Sequence, residues 1–471
     1  MTISASSTPA ASAPANLSNP PTFPKDFAWG AATSSYQIEG AVDVDGRGKS
    51  VWDMLCARPD RVWERQNGDV ACDHYHRYRE DVGLMREIGL KAYRFSIAWP
   101  RVMPAGTGKV NDAGLAFYDR LVDALLEANI EPWVTLFHWD YPYDLYLRGG
   151  WLNPDSPRWF ADYTRVVVDR LSDRVANWMT LNEPQCFIGL GLHTGEHAPG
   201  DRLGFTEVLL AAHHAMLGHG HAVQVIRERA KRAPRIGWAH TGDIPYPATE
   251  SADDLSAARE AWETIRPDTI WSHLWWNDPV FRGEYPEAGL RAFGSQAPRF
   301  TAEEMRTIHQ PLDFFGTNNY RAFPVRRGTD GGVERLPYPV GGPLSHNDWT
   351  VEPQLLHWAA RHPYERYGKP VVITENGFAG LDWVNLQGRV PDGNRIDYLH
   401  RHLRGLGEAI AAGVRVDGYF AWSFLDNFEW NFGYRYRFGL VHVDYETQKR
   451  TLKDSARWYA DVIRSNGAAL W

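Results

Sequence analysis

The sequence predicts an α/β fold in which eight strand–helix units close into a single (β/α)8 barrel, with its active site at the C-terminal ends of the strands. Three observations carry this. Short β-rich apolar runs alternate eight times with longer amphipathic stretches, a pattern that gives a mostly parallel sheet able to close on itself. No linker or composition break divides residues 21–471, and α/β barrels routinely exceed the ~150 residues of an average domain. Polar side chains recur just beyond the strands, where such barrels carry their active sites.

The strands are placed at residues 27–32, 92–98, 131–137, 178–181, 235–239, 313–317, 370–374 and 417–422. Helical periodicity lies between them, for example at 112–128, 155–171 and 396–412. Residues 38–75 and 321–365 are read as loops decorating the barrel. Gln37 follows the first strand, His138 and Trp139 the third, and Asn182 and Glu183 the fourth. Asn318 and Tyr320 follow the sixth strand, Glu375 the seventh, and Glu429 comes soon after the eighth. One mouth therefore gathers three glutamates, amides and aromatic rings. Residues 1–20 are rich in Ser, Ala and Pro and are expected to form a disordered tail.

Composition excludes several function classes. The 471 residues carry a formal charge of −8 without a Lys/Arg run, which disfavours nucleic acid and anionic membranes as partners. Three cysteines without a CxxC pair fit a reducing compartment better than a disulfide framework. No stretch approaches the ~18 apolar residues of a membrane span, and the N-terminus lacks the basic start and apolar core of a signal peptide. A cytoplasmic location is the expectation, and self-association is left open. Aromatic content is 13%, with 21 Trp. Many of these rings serve core packing, but HWD (138–140) and FEW (428–430) put rings beside carboxylates, which suits carbohydrate.

The segments TLNEP (180–184) and ITENG (373–377) each set a Glu directly after an apolar strand. An ionisable group there is costly unless paired or working. Glycosidic bonds break between two carboxyl groups, one protonating the leaving oxygen and the other attacking the sugar or activating water. Spacing alone does not say which Glu does which.

These residues carry a family resemblance. FAWGAATSSYQIEG (27–40), YRFSIAWPR (93–101), LFHWD (136–140), TLNEP, DFFGTNNY (313–320), ITENG, AWSFLDNFEW (421–430) and VDYETQKRTLKDSARWY (443–459) occur in one order over about residues 23–465. Together they closely resemble glycoside hydrolase family 1, the β-glucosidase and 6-phospho-β-glycosidase family. The resemblance implies a TIM barrel and a retaining, double-displacement mechanism, with Glu183 as acid/base and Glu375 as nucleophile. Arg94 and Tyr320 would support Glu375 and depress its pKa, while the field of Glu375 would raise that of Glu183. Gln37, His138, Trp139, Asn182, Asn318, Tyr320, Trp422, Glu429 and Trp430 would line the sugar site. Glu429 stands where the phospho-sugar branch has a small polar residue, so an unphosphorylated β-glucoside or oligosaccharide is the expected partner, with β-galactosides or β-fucosides also accepted. No cofactor or metal is implied.

Departures from the family pattern are Tyr141-Pro142-Tyr143 where Leu-Pro is common, Asn318-Asn319-Tyr320, and Gln185-Cys186-Phe187 where a Trp is frequent. Cys186 is read as a small packed residue. Cys72, His74 and His76, and the histidines of HHAMLGHGH (213–221), lack the spacing of a helical zinc site. Two further readings stand beside hydrolysis. One is a transglycosylase with Tyr141–Tyr146 (141–146) as an acceptor platform at the entrance, and the other a non-catalytic carbohydrate-binding barrel.

Overall fold

A computed structural model describes residues 20–471; residues 1–19, almost all of the expected tail, lie outside the described residues. Eight parallel strands close the barrel: β1 (Ala28–Ala32), β2 (Ala92–Ser96), β3 (Glu131–Phe137), β4 (Asn177–Asn182), β5 (Arg235–Thr241), β6 (Phe315–Asn318), β7 (Val371–Asn376) and β8 (Val416–Trp422). Each is hydrogen-bonded to the next, and β1 closes the ring by pairing Ala28 with Gly418 and Gly30 with Ala92. The eight expected strands are therefore the eight barrel strands.

The hydrophobic pattern explains the layers. Inside the barrel Trp133, Met179, Phe314, Val372 and Phe420 pack together, with Trp133 and Phe420 centroids 5.0 Å apart. They form a solid floor beneath the mouth. Outside, helices turn an apolar stripe to the strands. In Asp112–Glu127 the buried Leu115, Tyr118, Leu121, Val122 and Leu125 recur at helical spacing, and Ser156–Leu171 starts with Pro157 in its first turn.

The decorating segments are more structured than the sequence led us to expect. Residues 38–75 contain the helix Val51–Cys56, started by a reciprocal capping box between Ser50 and Asp53. Residues 321–365 contribute Ala322–Arg327 and Val333–Arg335 to a small sheet with Ile244–Pro247, and then begin the helix Leu355–Tyr367. These strands are short and partly exposed, so they lack the strong apolar run that marks the barrel strands. Among the described residues no helix is long and apolar enough to cross a membrane.

Candidate active site

Register irregularities mark the two strands that bear glutamates. The β4–β5 ladder shifts between Met179 and Asn182, and β7 slips against both neighbours beyond Ile373. Such irregularities re-aim side chains at a barrel rim. Glu183 begins the turn after β4 at φ +45°, its N–H donating to the Ala239 carbonyl at 2.7 Å. Glu375 lies within β7, level with Asn318 of β6. The glycine two residues on is obligatory: a Cβ on Gly377 would meet the Trp422 carbonyl oxygen at 1.7 Å.

Arg94 ties the site together from β2. Fully buried, its guanidinium donates to the Glu375 carboxylate at 2.5 Å, to the Thr374 carbonyl at 3.0 Å, to Thr135 Oγ1 at 3.1 Å and to Asn182 Oδ1. Tyr320 donates its hydroxyl to the other Glu375 oxygen at 2.7 Å. Glu183 has quite different company. It accepts from Asn318 Nδ2 at 2.7 Å and from the Cys186 thiol at 3.0 Å.

These surroundings set the protonation order. Burial, then the charge of Glu375, raises the Glu183 pKa to about 8. Burial also raises Glu375, while Arg94 and Tyr320 pull it back down. The depressed value expected for Glu375 is thus not found, because that expectation counted its partners and left out its desolvation. The order survives: only Glu375 has a guanidinium in contact, so it ionises first and the proton of the pair rests on Glu183.

The other predicted residues surround this pair. Asn182 Nδ2 donates to His138 Nε2 at 3.1 Å, so the neutral ring, its pKa pushed well down by burial, carries its proton on Nδ1. Trp422 stacks near His138 at 5.8 Å. Trp430 lies 4.4 Å from Trp139, whose Nε1 donates to the Asn182 carbonyl at 2.8 Å. Trp139 and Trp430, like Glu183, hold positive φ, +79° and +52°, a conformation costing about 1–3 kcal/mol at a non-glycine residue. Gln37 Nε2 donates to Asn427 Oδ1 at 2.9 Å and to the Phe428 carbonyl at 2.8 Å, and approaches Glu429 at 3.4 Å. Burial, then Glu375 and Glu183, raise the Glu429 pKa to about 8.

Two further residues contact Glu183 directly. Asn318 uses both amide hydrogens on Asn182 and Glu183 and accepts from Thr374 Oγ1 at 2.6 Å, so it supports the carboxyl and has no donor left for sugar. Cys186 is packed, as expected, but also touches Glu183; its place three residues along, on the turn after β4, was the available signal. The histidines of the 213–221 run bond individually: His213 to Tyr285, His214 to the Trp151 carbonyl and His219 to Thr180. Cys72 donates to the Asp426 carbonyl at 3.0 Å.

Two buried carboxyl groups with different partners, at the mouth of a (β/α)8 barrel, are the arrangement that enzymes cleaving glycosidic bonds use. Comparison with known proteins then specifies the family: the profile described as "Glycosyl hydrolase family 1" matches residues 19–468, and the chain belongs to that family. Beta-glucosidase A of Thermotoga maritima is 43% identical over 446 residues, 94% of this chain and 98% of that protein. Beta-glucosidase of Agrobacterium sp. is 43% identical over 443 residues, 93% of this chain and 94% of its own length. The solved T. maritima β-glucosidase in complex with glucoimidazole superposes with a TM-score of 0.86 at 43% identity, covering 95% of this chain and 99% of that one.

Proposed function

We propose that the protein is a retaining β-glucosidase in which Glu375 attacks the anomeric carbon of a terminal β-D-glucosyl residue and Glu183 protonates the leaving oxygen. The contrast between the two carboxyls carries this reading: one is ion-paired to Arg94, the other protonated with a pKa of about 8. The displaced aglycone leaves with the Glu183 proton, and a glycosyl–Glu375 ester remains. Glu183, now ionised, takes a proton from water, which attacks the same carbon and releases β-glucose. The relatives named above as β-glucosidases support the sugar assigned here.

His138 Nδ1–H, Trp430 and Glu429 are assigned to the sugar hydroxyls, with Trp422 as the ring platform. Glu429, held largely protonated, donates or accepts, which accommodates either 4-hydroxyl epimer, so β-galactosides and β-fucosides join the proposed substrates. A 6-phosphate would bring further negative charge beside Glu375, where the one guanidinium assigned to the site, Arg94, is already engaged by that carboxylate. Of the run 141–146 on which the transferase alternative rests, Tyr141 is buried against Trp99 and Trp151, whereas Tyr143 and Tyr146 are half-buried.

A panel of p-nitrophenyl glycosides tests the proposal, with Glu375→Ala run alongside. Turnover of the β-glucoside, abolished in the variant, is the expected result. Turnover confined to the 6-phospho-β-glucoside would overturn the assignment of Glu429, and undiminished turnover in the variant that of Glu375.

A further inference from the structure

The turn that leads from Glu183 into the π-helix Cys186–His193 is tied to the end of β5 at two points. The first is the Glu183 N–H on the Ala239 carbonyl. Glu183 holds a left-handed conformation there, which persists only where the surroundings over-determine it. The second point is Gln185, fully buried two residues on. Its Nε2 donates to the Thr241 carbonyl at 3.1 Å and to His240 Nδ1 at 2.5 Å. His240 Nε2 meets His273 Nδ1 at 2.9 Å, and His273 Nε2 meets the Asp243 carbonyl at 3.0 Å. None of these groups belongs to the sugar site described above.

Each proton in this chain has one place. Burial pushes the pKa of His240 well down and that of His273 to about 4, so both rings are neutral at neutral pH. The Asp243 carbonyl can only accept, which puts the His273 proton on Nε2 and leaves its Nδ1 as an acceptor. His240 therefore carries its proton on Nε2, and its Nδ1 accepts from Gln185. The Thr241 carbonyl demands the same orientation of the Gln185 amide. The far end is fixed as well: His273 opens the helix His273–Arg282, and its ring stacks on Trp262 at 4.9 Å. Turning any one member would set two donors or two acceptors against each other in a buried place, so the chain resists movement as a unit.

We propose that Gln185 is a positioning residue for the general acid, holding the Glu183 turn through His240 and His273 so that the carboxyl meets the leaving oxygen. This role rests on the mechanism proposed above, in which Glu183 protonates that oxygen. It has a specific consequence. A poor leaving group needs the proton and feels a misplaced acid, whereas a good one departs as its anion and does not.

The test compares kcat/KM for phenyl β-glucoside and 2,4-dinitrophenyl β-glucoside in the wild type, Gln185→Met and His273→Phe. Gln185→Met keeps the approximate size and removes both donors. It should lower kcat/KM for the phenyl glucoside roughly ten- to a hundredfold and for the dinitrophenyl glucoside by no more than about threefold. His273→Phe leaves Gln185 in place and should shift the same ratio by a smaller factor; if Gln185→Met does not fold, this variant decides. Equal losses on the two substrates, or no loss on either, would overturn the proposal. Nitrogen-15 NMR of the imidazoles gives a readout independent of turnover: His240 and His273 should both be neutral with the proton on Nε2, and a proton on Nδ1 of either would overturn it too. Failure of the wild type to cleave either glucoside would instead strike the assigned reaction, with the tautomers still where the chain puts them.

Discussion

Glu183, just past the end of β4, and Cys186, the first residue of the π-helix Cys186–His193, stand three residues apart, and their contact makes a chemical prediction. The thiol and Asn318 stabilise the ionised form of Glu183, while burial and Glu375 oppose it. As the proposed acid, Glu183 has to be protonated to serve the leaving group, so kcat/KM should fall as pH rises through about 8. Cys186→Ala removes a donor to the carboxylate, raises the Glu183 pKa and moves this alkaline limb to higher pH, which a pH–rate profile reads directly. In the proposed mechanism the opposite limb belongs to Glu375, which has to be ionised to attack. Arg94→Gln removes its positive partner, so the acid limb should also move upward, and activity at neutral pH should fall on the order of a hundredfold or more, taking ~3–5 kcal/mol for an unpaired buried charge. An acid limb unchanged in Arg94→Gln would show that Arg94 does not set the Glu375 charge. The carboxyl pair was legible from the residue types at the strand ends, and Arg94, inside β2, only through the family resemblance of residues 93–101. The Cys186 contact was not, because spacing places a residue on a turn without fixing where its thiol points.

At the scale of elements, the ends of β4, β7 and β8 work as one assembly. The expected strand at 370–374 stopped short of Glu375, whereas β7 runs to Asn376; a glutamate reads as the end of an apolar run, and only the ladder shows pairing continuing past it. Gly377 follows, against the Trp422 carbonyl at the end of β8. Gly377→Ala should therefore lower stability by about 1–3 kcal/mol or more, because the obstacle is backbone and cannot rotate away, and it should displace Glu375 and Trp422 together. Thermal melting and kcat measured on the same preparation check this. Loss of stability with unchanged kcat would separate the glycine from the site. The small sheet of Ile244–Pro247, Ala322–Arg327 and Val333–Arg335 was missed for a related reason: partly exposed strands lack the uninterrupted hydrophobic run that betrays a buried parallel strand.

Across the whole molecule, the segment that carries Glu429 and Trp430 is held by a buried ionic network. Lys453 donates to Asp426 at 2.6 Å and to Asp382 at 2.5 Å, Arg437 reaches Asp426 at 2.7 Å, and Arg395 reaches Asp382 at 2.6 Å. Lys453→Met leaves two buried carboxylates short of a cation and should cost about 3–5 kcal/mol, seen as a lower melting temperature, with KM rising more than kcat falls if the Glu429 segment loosens. These partners are up to 71 residues apart in sequence, so no local pattern announces them, whereas the barrel itself could be read because each of its units is local. As the proposed nucleophile, Glu375 forms a covalent bond to the sugar. Mass spectrometry after incubation with 2,4-dinitrophenyl 2-deoxy-2-fluoro-β-glucoside tests it most directly, because the fluorine slows release of the intermediate while the good leaving group still allows it to form. One fluoroglucosyl unit per chain, located by peptide digestion on Glu375, is the expected result; a label on Glu183, or turnover without any adduct, would overturn the assignment.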